Sequence, residues 1–80
     1  MRIPRDLTGK ELIKALGRLG YDVTRQSGSH IRLTTSRNGT HHITIPDHRP
    51  IKVGTLAGVL GDVAIHHHMT REELLALLFE

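Results

Sequence analysis

Apolar residues recur at two different periods along this 80-residue chain. Between Thr8 and Gly20 they fall at Leu12, Ala15, Leu16 and Leu19, the three-to-four spacing of a helix with one buried face. Thr8-Gly9-Lys10-Glu11 has the form of a capping box, in which a side chain at each end satisfies the other's backbone amide. Gly20 can take the left-handed conformation that ends a helix. The pattern predicts a first helix over residues 9–19.

The period then changes to two. Tyr21 and Val23, Ile31 and Leu33, and Ile43 and Ile45 alternate with polar residues, which reads as three short strands with one buried face. Ser27-Gly28 and Asn38-Gly39 mark the hairpin turns between them. Residues directly opposite across two antiparallel strands share a face, so side-chain parity limits the register. A two-residue Asn38-Gly39 turn would set Thr34 against Ile43 and mix the faces. A three-residue loop, Arg37-Asn38-Gly39, pairs Leu33 with Ile43 and Ile31 with Ile45. The same loop type at Gln26-Ser27-Gly28 pairs Val23 with Ile31 and Tyr21 with Leu33. On that register the polar face carries Asp22, Thr24, His30, Arg32, Thr34, His42 and Thr44. Asp22 is then expected across from Arg32, Thr24 beside His30, and Thr34 beside His42. His41 falls on the buried-side parity, opposite Thr35, at the sheet's frayed end.

Pro46 ends the third strand, since it cannot donate to a ladder, and Asp47-His48-Arg49-Pro50 is a loop. Thr55 is placed to cap a second helix through Leu56, Val59, Leu60, Val63 and Ala64. Thr70-Arg71-Glu72-Glu73 is a second capping box, opening a last helix with Leu74, Leu75, Leu77 and Leu78. The expected fold is α+β, one domain over residues 1–80: helix, three-stranded antiparallel sheet, helix, helix, with the helices on one face of the sheet.

Composition narrows the function. Only Tyr21 and Phe79 are aromatic, so the core must be aliphatic. The chain has no Cys, which excludes disulfides and thiolate metal sites and fits a reducing cytoplasm. No apolar run approaches the roughly 20 residues of a bilayer span, and Met1-Arg2-Ile3-Pro4-Arg5 lacks the apolar stretch of a signal peptide. Residues 1–54 hold ten Lys/Arg against four Asp/Glu, and residues 55–80 hold one against four, so +6 faces −3 within a net +3. A basic front of this kind suits a polyanion.

The order of elements and the residues at their joints resemble the HicA (YcfA-like) toxins. A leading helix runs into Leu19-Gly20-Tyr21. Gly28-Ser29-His30 follows the first turn. Ile43-Thr44-Ile45-Pro46, with His48 two residues on, closes the third strand. Lys52-Val53-Gly54-Thr55-Leu56 opens the second helix, and Thr-Arg-Glu-Glu-Leu starts the third. Where that family often carries Arg or Lys just after Gly-Thr-Leu, this chain has Ala57 and Gly58, and Gly61–Met69 runs about one helical turn longer. The resemblance implies a compact variant of the double-stranded-RNA-binding domain, cleavage of mRNA with His30 as the essential residue, and a HicB-type antitoxin as protein partner.

The residues agree with that chemistry. RNA carries its own nucleophile in the ribose 2′-OH, so a nuclease needs proton transfer and stabilisation of a charged phosphorane. Histidine suits the first task because its ordinary pKa, about 6.5, lies near working pH. His30 is therefore the candidate general base, general acid, or both. Arg32 and Lys52, with Arg25 as a further cation, are candidates to hold phosphate, and the Gly28-Ser29 turn can offer backbone amides. His42, on the same face, is a second proton carrier to test. The competing account of Arg32 is a cross-strand ion pair with Asp22, and the competing function is a non-catalytic RNA-binding module of the same fold. A metal site is not expected: His66-His67-His68 are consecutive, so on a helix they point about 100° apart, and they read as a polar helix C-terminus. No cofactor, small-molecule ligand or membrane contact is implied.

Overall fold

The computed structural model describes residues 3–80; the Met1-Arg2 start of the charged N-terminal segment lies outside them. The elements are α1 (Gly9–Leu16) continued by a 3-10 turn (Gly17–Leu19), β1 (Asp22–Ser27), β2 (His30–Thr35), β3 (His41–Pro46), α2 (Val53–His66) and α3 (Arg71–Phe79). The sheet is antiparallel in the order β1-β2-β3. Helices cover one face of it. Leu12, Leu16, Ile31, Leu33, Ile43, Ile45, Leu56, Leu60, Val63, Leu74, Leu75 and Leu78 form one aliphatic core. Both capping boxes are present, with Thr8 and Glu11 at α1 and Thr70 and Glu73 at α3. Gly20 is left-handed at φ +78°, as expected of a helix terminator.

The β2–β3 register is the one parity demands: Leu33 faces Ile43, Ile31 faces Ile45, Thr34 faces His42 and Thr35 faces His41. The β1–β2 register differs from the expectation. Ser27 pairs with His30 around a two-residue Gly28-Ser29 turn, with Gly28 at φ +59° in the first central position. Such a turn alone would move Val23 to the polar face. A bulge at Thr24 restores the parity, so that Val23 lies opposite Leu33 and Asp22 opposite Thr34. The correction has a physical reason. β1 is exposed along its whole length and Val23 is 53% exposed, so no burial enforces its register. The turn and the bulge set it instead.

Thr55 does not cap α2. Lys52 occupies the cap position without a side-chain hydrogen bond, and Thr55 is the helix's third residue. The start is set from the other side of the chain. Ile51 is buried and its amide donates to the Leu7 carbonyl at 2.8 Å, so the backbone turns into the helix directly afterwards. α1 is held close by at Gly9, whose amide donates to the His48 carbonyl at 3.0 Å. A Cβ at Gly9 would sit 2.5 Å from the Pro46 oxygen, so only glycine lets the helix end approach β3 this closely.

Candidate functional site

That approach positions His30. Pro46 is the register partner of His30, and the next amide along, that of Asp47, donates to the Ser29 carbonyl at 2.7 Å. The Gly28-Ser29 turn is thus tied to the end of β3, which packs on Gly9. His30 opens β2 from this braced turn and is exposed on the open side of the sheet.

Arg32 follows on the same face, about 7 Å along the strand. Its expected partner Asp22 is not there. The two-residue turn places Arg25 directly opposite Arg32 instead, the bulge beyond it sets Asp22 against Thr34, and the one ion pair among the described residues is His41–Asp62. Two guanidinium groups opposed across a strand pair repel. An anion between them would relieve that repulsion, and the position is one step from His30 and its partner Ser27. Lys52 is exposed at the start of α2.

His42 stands at the far end of the same face. It is four residues along and one strand over from His30, about 14 Å between Cα positions from ordinary strand spacings. Its Nδ1 lies 2.8 Å from Thr34 Oγ1, Thr34 Oγ1 lies 2.9 Å from Thr24 Oγ1, and Thr24 Oγ1 donates to the Arg32 carbonyl at 3.4 Å. Carrying the donors in one direction makes His42 Nδ1 the protonated nitrogen and leaves Nε2 as an outward acceptor. At that separation His30 and His42 do not meet at one phosphate.

A groove of about 600 Å³ begins at Arg32 and runs between β3 and α2, lined also by His42, Thr44, Gly54, Thr55, Gly58 and Asp62. Sequence reasoning missed the network behind its far wall. His66–His68 are not a merely solvated helix end, because His67 is 6% exposed and His66 is half-buried. His41 is not a frayed terminus either. Asn38 Nδ2 lies 3.1 Å from His67 Nδ1, His67 Nε2 lies 3.0 Å from Tyr21 Oη, and Tyr21 Oη lies 2.6 Å from His41 Nδ1. His41 Nε2 then faces Asp62 Oδ1 at 3.3 Å. With both rings neutral and protonated on Nε2, each bond donates toward Asp62 and every ring nitrogen is satisfied. His66 stacks on His41 with centroids 4.2 Å apart, and its Nε2 donates to the Arg37 and Gly39 carbonyls at 2.9 and 3.0 Å. The one signal in the sequence was parity: His41 belongs to the buried side and needs a partner there.

Burial lowers the pKa of His67 below its ordinary 6.5, and positive charge on His66, His41, Arg37 and His68 lowers it further. Burial, with the Asp62 carboxylate, raises Tyr21 to about 12. Above 6.5, His67 is neutral whether the chain is folded or not. As pH falls from 6.5 toward the lowered folded value, the unfolded chain takes up the proton first, so stability falls through this window and this group adds no further loss below it. Glu11 and Glu73, lowered from 4.5 by their capping bonds to Thr8 and Thr70, lose their contribution only below about 4.5. Urea unfolding between pH 7.5 and 4 should therefore show two successive losses, and His67→Gln should flatten the upper one alone.

The family described as "HicA toxin of bacterial toxin-antitoxin" matches residues 9–65, from the start of α1 almost to the end of α2. No curated protein and no solved structure matches the chain. The matched span holds the whole sheet, the Gly28-Ser29-His30 turn and both walls of the groove. The chain belongs to the HicA toxin family of bacterial toxin–antitoxin systems.

Proposed function

We propose that this toxin is a metal-independent RNA endonuclease acting on mRNA, with His30 as its catalytic residue. Membership of a toxin–antitoxin family gives the chain an antitoxin partner, and we assign that partner to the HicB type, covering the open face of the sheet. The observation that carries the reading is the setting of His30. Its imidazole is exposed beside Arg25 and Arg32, two cations opposed across the strands with no acid between them.

The step is a transesterification. His30 accepts the proton of a ribose 2′-OH as the 2′-oxygen bonds to the adjacent phosphorus. The bond from phosphorus to the 5′-oxygen breaks, and the imidazolium returns a proton to that leaving oxygen. Arg25 and Arg32 take the charge that builds on the non-bridging oxygens, which a pair of guanidinium forks is shaped to hold. Lys52 and the backbone of Gly28 and Ser29 are assigned to the flanking phosphates. Among the described residues no carboxylate is bonded to the His30 ring, and His42 is out of reach, so one imidazole carries both transfers and turnover is modest.

Purified toxin incubated with an mRNA in EDTA should yield fragments ending in a 2′,3′-cyclic phosphate and a 5′-hydroxyl. A mobility shift with no new termini would make the chain a binder and sink the reading.

A further inference from the structure

We propose that the groove between β3 and α2 takes one unpaired nucleobase of the RNA and that Asp62 selects guanine there. The proposal rests on the nuclease reading for the identity of the ligand, and it adds a residue that discriminates substrates.

The groove starts at Arg32, about 7 Å along β2 from His30, so a strand whose phosphate sits at the two arginines can drop a neighbouring base into it. Its volume of about 600 Å³ is ample for a purine. The helix wall is built from Gly54, Thr55, Gly58, Val59 and Asp62, and Gly54, Gly58 and Asp62, spaced by four, form one row along α2. Neither glycine is required by packing, since a Cβ at Gly54 or Gly58 would meet nothing within 4 Å. A glycine inside a helix costs about 1 kcal/mol relative to alanine. What these two do is leave flat backbone and open space in front of it, where a planar ring can lie.

Asp62 is the single acid lining this groove. Its side chain is 58% exposed, and its Oδ1 is fixed by His41 at the end of the chain of bonds that begins at Asn38. A carboxylate only accepts hydrogen bonds. Among the four bases, guanine alone presents two adjacent donors, N1–H and the N2 amino group, on its Watson–Crick edge. Adenine and cytosine offer a ring acceptor beside one amino group, and uracil flanks its single donor with carbonyl oxygens. Single-stranded RNA is read in this way, by unstacked bases bonded along that edge. A carboxylate near a phosphate backbone is repelled unless such a donor edge meets it, and that repulsion is the source of discrimination against the other three bases.

The test uses four oligoribonucleotides differing at the one base beside a single cleavable position. Cleavage is followed with wild-type protein, and binding at low salt with His30→Ala protein. The guanine oligomer should be favoured about tenfold or more in both. Asp62→Asn keeps an acceptor for His41 and turns the second oxygen into a donor, so the preference should collapse. Gly58→Leu fills the groove from a site with room for a side chain and a better helix former. It should abolish the preference while melting no lower than wild type. Equal cleavage and binding of all four oligomers would overturn the proposal and leave the nuclease intact. So would a preference unchanged in both variants, or variants that alter only affinity for the antitoxin. Selective binding without cleavage by wild type would uphold the groove and sink the nuclease reading instead.

Discussion

Replacing His30 by Ala is expected to slow RNA cleavage by about 10²–10⁴-fold, the usual contribution of a positioned proton carrier. Expressed without its antitoxin, the variant should permit growth at a level where wild type arrests it. The substitution is clean. His30 is exposed, it heads β2 at a turn held by the Asp47 amide, and its register partner is Pro46. Removing the ring empties no cavity and strands no buried donor, so stability should stay within about 0.5 kcal/mol of wild type. Loss of activity with an unchanged melting curve then reports on chemistry alone. RNA affinity should also persist, because Arg25, Arg32 and Lys52 remain to meet phosphate. Cleavage at the wild-type rate in EDTA would end the assignment of His30.

The open face was readable from the sequence in part, and the parts divide along physical lines. Ile31, Leu33, Ile43 and Ile45 are buried, and a one-residue slip would expose all four, so the β2–β3 register follows from their alternation. That register also fixed His30 and Arg32 to the open face. β1 gave no such leverage, because it is exposed on both sides and its alternation of apolar and polar residues reports nothing about burial. The price was a wrong partner for Arg32, a bland ion pair with Asp22 where the fold brings Arg25. The groove was not legible for a different reason. Its walls come from strand and helix segments brought together only by the packing of α2 on β3, and Gly58 and Asp62 carry no local pattern.

The histidine run was hidden more deeply. Three consecutive imidazoles at the end of α2 look like solvated polar residues, and the feature that makes them otherwise is Tyr21, which lies more than 40 positions earlier in the chain. Tyr21 is 2% exposed, and its hydroxyl hydrogen-bonds both His41 on β3 and His67 at the cap of α2. One substitution therefore tests the whole relay. Phenylalanine keeps the ring and its volume, so no cavity opens, and only the oxygen is lost. His67 Nε2 would then face an apolar ring with no acceptor, and His41 Nδ1 would lose its donor. A buried polar group stripped of its partner costs about 1–3 kcal/mol. His41 is only half-buried and can recover part of its share from water. We expect Tyr21→Phe to cost about 2–4 kcal/mol. For a domain of this size that is a fall in Tm of roughly 10 °C or more, at about 4–8 °C per kcal/mol. The loss should be non-additive with His67→Gln, since each breaks the same bond. If Tyr21→Phe melts within a degree or two of wild type, the hydroxyl is not bonded as described, and the fixed carboxylate of Asp62 loses its support.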